Sequence, residues 1–264
     1  MGYSSLLASI AHYKEINEMA YTKMIPVLDK CDPDDAFSSV PYEKGFNFLY
    51  YLAYQIVGDV QRFEKFLYHY FTIFAQKTVN SISMKECFLE FFSDVEKTKE
   101  IDWDAWFNSE GDVPVKNNFE NSLSTAANEL CQKWITATPE STFSKKDIEG
   151  WESSQLSYLL DILLESEKPV DVQKLDAAYD LSKYTNSEIR FGWQILALKN
   201  KYEPVKSQVV DFITIQGRMK FVRPLYRELF KFDPELAVKT FKEHKGFYHA
   251  IARKMIEKDL LLDQ

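Results

Sequence analysis

Apolar side chains recur along most of this chain at every third or fourth position, the spacing of a helix with one buried stripe. Phe46, Leu49, Tyr50, Ala53 and Val57 form one such stripe, which Gly58 is suited to end as a left-handed cap. Phe63, Phe66, Leu67, Tyr70, Phe71 and Phe74 form the next. A third helix is expected from Ser83, with Glu86 answering it in a capping box and Phe88, Leu89 and Phe92 behind. Residues 4–24 carry a weaker helical pattern.

The pattern breaks between residues 108 and 120, where Asn108, Ser109, Gly111, Asp112, Pro114, Asn117 and Asn118 collect. Turn formers without apolar periodicity mark a boundary, so we read a first domain over 1–110, a linker over 111–120 and a second domain over 121–264. Beyond the break the stripes become regular. Leu156, Leu159, Leu160, Leu163 and Leu164 make one; Ile189, Trp193, Leu196 and Ala197 another; Val205, Val209, Phe212 and Ile213 a third. Thr185 with Glu188 reads as a capping box, and Asp233 before Pro234 as a cap followed by a first-turn proline. Helix starts are expected near 154, 171, 187, 204, 219, 234 and 250, a repeat of about 33 residues per helix pair, as in helical solenoids. Val209 to Ile215 is β-branched enough for a strand, but the flanking helices outweigh it. The predicted fold class is all-α, with 121–264 as an armadillo-like stack of antiparallel helix pairs.

Composition narrows the picture further. Only 8 Gly and 9 Pro occur in 264 residues, too few for the turns of a many-stranded β fold. A net charge of −8 repels a phosphate backbone, so nucleic acid is not the expected partner. Cys31, Cys87 and Cys131 lie far apart with no Cys-x-x-Cys pair, which predicts neither a disulfide framework nor a zinc knuckle and fits a reducing cytoplasm. No run reaches the roughly 18 apolar residues of a membrane span, and Met1 to Ile10 lack the basic start of a secretory signal. The expectation is a soluble cytoplasmic protein without a membrane partner.

Several chemistries are missing from the motifs. Holding zinc on a helix takes two histidines one turn apart, yet His244 and His249 are five apart and His12 and His69 are isolated. No metal ligands are therefore expected in this chain. Phosphate-binding glycine loops and a Gly-x-Ser-x-Gly elbow are also absent.

Two segments carry more. One runs Asp32-Pro33-Asp34-Asp35-Ala36-Phe37-Ser38-Ser39-Val40-Pro41-Tyr42-Glu43-Lys44-Gly45-Phe46; the other is Gln216-Gly217-Arg218-Met219-Lys220-Phe221, continued by Arg223-Pro224-Leu225. Between them stand Asp102-Trp103-Asp104-Ala105-Trp106, Trp134-Ile135-Thr136-Ala137 and Asn186-Ser187-Glu188-Ile189-Arg190-Phe191, with Glu243-His244-Lys245 near the end. In this order the islands resemble the carboxy-terminal portion of the leukotriene A4 hydrolase family of zinc aminopeptidases, over about residues 32–264. Residues 1–30 show no such likeness. The resemblance implies the helical end of a metallopeptidase catalytic domain followed by an armadillo-like α-α superhelix. It also implies that zinc and its ligands belong to a missing amino-terminal catalytic portion, so that this chain, without a cofactor of its own, is a truncated form inactive alone.

By the same resemblance Tyr42 matches the catalytic tyrosine, whose phenol stabilises the oxyanion formed when zinc-activated water attacks a peptide carbonyl. Spacing alone reads Tyr42 as a ring packing at a helix start. Arg218 and Lys220 match the residues that grip the free carboxylate of a peptide or fatty-acid-like substrate, a planar fork beside a mobile point charge. Spacing alone reads them as a solvated basic face, continued by Arg223, Arg227 and Lys231. Asp34 matches a carboxylate near the substrate pocket, or else caps the turn after Pro33. Phe37 stands where leukotriene-hydrolysing relatives have a second tyrosine, which argues for peptide cleavage over epoxide hydrolysis. The alternative is a non-catalytic helical interaction module descended from the family.

Overall fold

The computed structural model describes residues 2–29, 36, 38–166 and 168–262. Among them there are helices, turns and loops but no strand. They divide into two compact units, Met1–Phe119 and Glu120–Gln264.

The first unit holds α1 (Gly2–Glu15), α2 (Val40–Tyr51), α3 (Val60–Ile73), α4 (Ser81–Phe91) and α5 (Trp103–Asn108). Immediately after α2 the chain makes a π-helical segment, Leu52–Val57, closed by a bond from Gly58 N to Ala53 O of 3.0 Å. Gly58 is left-handed at φ 68°, the cap its position predicted. The expected stripe needs correction, because Phe46 and Leu49 are exposed. The buried side of α2 is Val40, Lys44, Asn47, Phe48 and Tyr51, continued by Leu52, Ala53 and Ile56. Two polar residues therefore lie on the inner face, and an apolar count cannot find a face that contains them.

Both residues are satisfied from nearby chain. Lys44 Nζ donates to Ser109 O at 3.0 Å, and Asn47 Nδ2 to Glu43 O at 2.8 Å. Asn117 Nδ2 donates in turn to Asn47 O at 2.9 Å. Gly111 N reaches Thr22 Oγ1 at 2.7 Å, and Tyr3 Oη reaches Asp112 Oδ2 at 2.7 Å. The turn-rich stretch after α5 is thus strapped to α1 and α2 by polar bonds, which leave no periodic signature. The rest of the core is aromatic, with Phe66 edge-on to Phe88 at 5.4 Å and Phe48 against Trp106 at 5.0 Å.

The second unit holds α6 (Ser122–Ile135), α7 (Ser153–Glu165), α8 (Val172–Tyr179), α9 (Ser187–Lys199), α10 (Val205–Ile215), α11 (Met219–Phe232), α12 (Pro234–His244) and α13 (Ala250–Asp259). The expected starts agree with these within a residue. Packing proceeds from α6 to α7, α9 and α11, and from α11 to α12 and α13, an all-α armadillo-like succession. The predicted stripes of α9 and α10 are wholly buried, as is that of α7 apart from the half-buried Leu164. Gly192 lets α9 come close to α7, since a Cβ there would meet Leu160 Cβ at 3.3 Å. Asp233 caps α12 through Leu236 N at 3.0 Å, as predicted.

Two caps differ from expectation. Asn80, not Ser83, opens α4, accepting from Ser83 N at 2.9 Å. Asn186, not Thr185, opens α9, accepting from Glu188 N at 2.9 Å. Asn80 lies three residues before Ser83 and Asn186 directly after Thr185, and the carboxamide is at least as good an acceptor as the hydroxyl.

Candidate functional site

Tyr42 sits in the first turn of α2. Pro41 pre-sets the backbone there, and Glu43 N closes the turn on Ser39 O at 2.9 Å. Ser39 Oγ is tied to α1 through Ser5 O at 3.2 Å and Ser9 Oγ at 2.8 Å. With Lys44 and Asn47 gripping the other side of α2, the helix is held in rotation while the Tyr42 ring is 65% exposed. The strapped face of α2 is the one that carries Lys44 and Asn47, and Tyr42 lies off it. Asp34, Phe37 and Cys31 lie outside the described residues.

Arg218 and Lys220 open α11 in the second unit. Arg218 is its N-cap, with its carbonyl accepting from Phe221 N at 2.9 Å and Val222 N at 3.1 Å. Both cations lean on one ring. The Arg218 guanidinium carbon is 5.6 Å and Lys220 Nζ 5.3 Å from the centre of Phe221, which is buried against Phe191 and Phe212. Lys220 is also engaged elsewhere, donating to both carboxylate oxygens of Glu188 at 2.7 Å. Nearby on α7, burial pushes the Asp161 carboxyl up to about 6.

The basic run that follows resolves into separate pairs. Arg223 Nε meets Asp259 at 2.8 Å and Arg227 meets the same carboxylate at 2.9 Å, while Lys231 pairs with Glu228 at 2.7 Å. Burial raises the pKa of Asp259, but the two guanidinium bonds outweigh it and hold the carboxyl below its usual range. Arg223 and Arg227 thus pin α13 to α11. Sequence reasoning missed Glu188 as the partner of Lys220, because the two are 32 residues apart. Its only signal was membership of the Asn186–Phe191 island. Among the described residues no group of three or more His, Cys, Asp or Glu could hold a metal ion.

The family model for the leukotriene A4 hydrolase C-terminal domain matches residues 151–260, and that for the peptidase family M1 domain matches residues 4–106. This chain belongs to the leukotriene A4 hydrolase family of M1 peptidases. Leucine aminopeptidase 2 of Emericella nidulans is 42% identical over 269 residues, covering 98% of this chain and 43% of that relative. Its counterpart in Neurospora crassa is 40% identical, covering 98% and 39%. The solved yeast leukotriene A4 hydrolase in complex with bestatin is 31% identical with a TM-score of 0.88, covering 98% of this chain and 45% of that one. The chain thus spans less than half the length of these relatives. The family likeness also reaches further forward than the motifs implied, since it takes in α1. With only Leu6 and Tyr13 buried, α1 has little patterning by which to recognise it.

Proposed function

We propose that this chain forms the helical end of the catalytic domain, and the helical domain after it, of a zinc aminopeptidase that removes amino-terminal residues from short peptides. The reading rests on Tyr42, an exposed phenol within the family motif on a helix held in place from behind. Its hydroxyl donates to the carbonyl oxygen of the scissile peptide as negative charge builds there, a contribution worth about 2.7–4 kcal/mol in comparable sites. We assign Arg218, with its planar fork, and Lys220, with its added positive charge, to the free carboxylate of the substrate, and Asp34 to substrate binding. Zinc supplies the activated water in the whole enzyme. We assign metal and general base to the part of the relatives that this chain does not span. Alone, the chain is inactive.

The test is a chimera in which this chain replaces the matching portion of Emericella nidulans leucine aminopeptidase 2. It should release leucine from leucyl substrates, and Tyr42→Phe should lower kcat about 10²-fold or more. The chain by itself should contain no stoichiometric zinc by metal analysis. A chimera that folds, binds zinc and is indifferent to Tyr42→Phe would refute the assignment and favour a non-catalytic interaction module.

A further inference from the structure

We infer that Glu188 is a built-in competitor for Lys220, so that carboxylate recognition on α11 is carried by Arg218 and tuned by the Glu188 charge. This rests on the reading of Arg218 and Lys220 as a carboxylate grip and adds to it a specificity-determining residue on α9.

The geometry is asymmetric. Arg218 and Lys220 flank one buried ring, which places their charges on the same patch. Lys220 Nζ lies 2.7 Å from each oxygen of Glu188, so an incoming carboxylate meets an ammonium that already has a bidentate anion. Glu188 is in turn fixed from its backbone, since its N–H is a donor to the Asn186 cap at 2.9 Å in the first turn of α9. Its carboxylate also benefits from that helix N-terminus, which lowers its readiness to release. The remaining basic residues of α11 are not alternatives, because Arg223 and Arg227 are spent on Asp259 and Lys231 on Glu228. A second anion near Lys220 therefore either displaces Glu188 or is repelled by it. Both side chains of the pair are about half exposed, 49% for Lys220 and 42% for Glu188, so the exchange happens in water and its effect is modest rather than absolute.

The consequence is a graded preference. With Glu188 in place the site discriminates against ligands carrying a second negative charge close to the carboxylate, and tolerates a single one. Removing Glu188 frees Lys220 as a second donor.

The test needs no metal and no turnover. The full chain is titrated with N-acetyl-alanyl-alanine and with its carboxy-terminal amide, and the ammonium resonance of Lys220 is followed by NMR. The free acid should bind the parent weakly and lose binding in Arg218→Met. Glu188→Gln, which keeps the shape of the side chain, should shift the Lys220 resonance in the free protein and tighten the free acid about fivefold. The amide should not respond. Adding Lys220→Met to Glu188→Gln should cancel most of the gain, which a merely structural effect of Glu188 would not do. If Glu188→Gln leaves the affinity unchanged while Arg218→Met still abolishes it, the inference about Glu188 is overturned and the carboxylate grip stands. If acid and amide bind alike, or neither binds any variant, the grip itself fails and the inference with it.

Discussion

Lys44 is a cation held almost out of water, 1% exposed, two residues along α2 from the phenol of Tyr42. Burial draws its pKa from the ordinary 10.5 down to about 8, against the opposing pull of Asp112 and Glu110. Between those values the unfolded chain carries a proton that the folded chain has released, so stability rises with pH across that window. Below it, the folded state bears the cost of a desolvated ammonium. Lys44→Met should therefore be neutral or stabilising near pH 7, by up to about 1–2 kcal/mol after solvent screening, because water can take over the exposed Ser109 carbonyl. Urea midpoints measured from pH 7 to 10.5 should climb for the parent and stay flat for the variant. Equal slopes would mean that other groups set the pH dependence. Elsewhere, Trp134 Nε1 donates to Tyr179 Oη at 2.9 Å inside the second core, and that hydroxyl donates on to Asp147 at 3.3 Å. Tyr179→Phe strands the indole N–H and should cost about 1–3 kcal/mol. In a thermal-unfolding cycle with Trp134→Phe the losses should be less than additive; additive losses would show that the bond contributes nothing.

At the scale of elements, the junction of α2 with its π-helical continuation is the feature that periodicity reads least well. The wider turn shifts the register there, and Leu52, Ala53 and Ile56 are all buried beyond Phe48 and Tyr51. Gly58 ends it in a left-handed conformation with open space where a Cβ would stand. Gly58→Ala should then cost only the backbone strain, about 1–2 kcal/mol in chemical denaturation, and Gly58→Asn distinctly less. Equal stability of the alanine variant would show that the junction can relax. The helix starts from α7 onward were legible because each follows a turn signal and opens an uninterrupted stripe. Caps were legible only where a single candidate existed. Asp233 before Pro234 was unambiguous, whereas the neighbouring hydroxyl and amide at Thr185 and Asn186 needed the backbone geometry to separate them.

At the scale of the whole molecule, each unit has its own core. The larger cluster runs from Leu130 to Leu260 and the other from Leu6 to Val113. Residues 120–264 produced alone should therefore give a helical circular-dichroism spectrum and a single cooperative thermal transition. A broad, featureless melt would show that this core does not suffice. Tyr42 belongs to the first unit, and Arg218, Lys220 and Glu188 to the second.

What the sequence by itself determined is what one element can carry alone: the helical period, the helix starts from α7 onward, and the motif islands around Tyr42 and Arg218. Tertiary structure alone decided that Lys44 and Asn47 face inward, that Lys220 is held by Glu188, and that Arg223 and Arg227 close on Asp259. The reason is physical. Burying an apolar stripe lowers the free energy against almost any apolar surface, so its spacing announces it, whereas a buried or paired charge is tolerable only beside one particular partner brought in from a distant part of the chain.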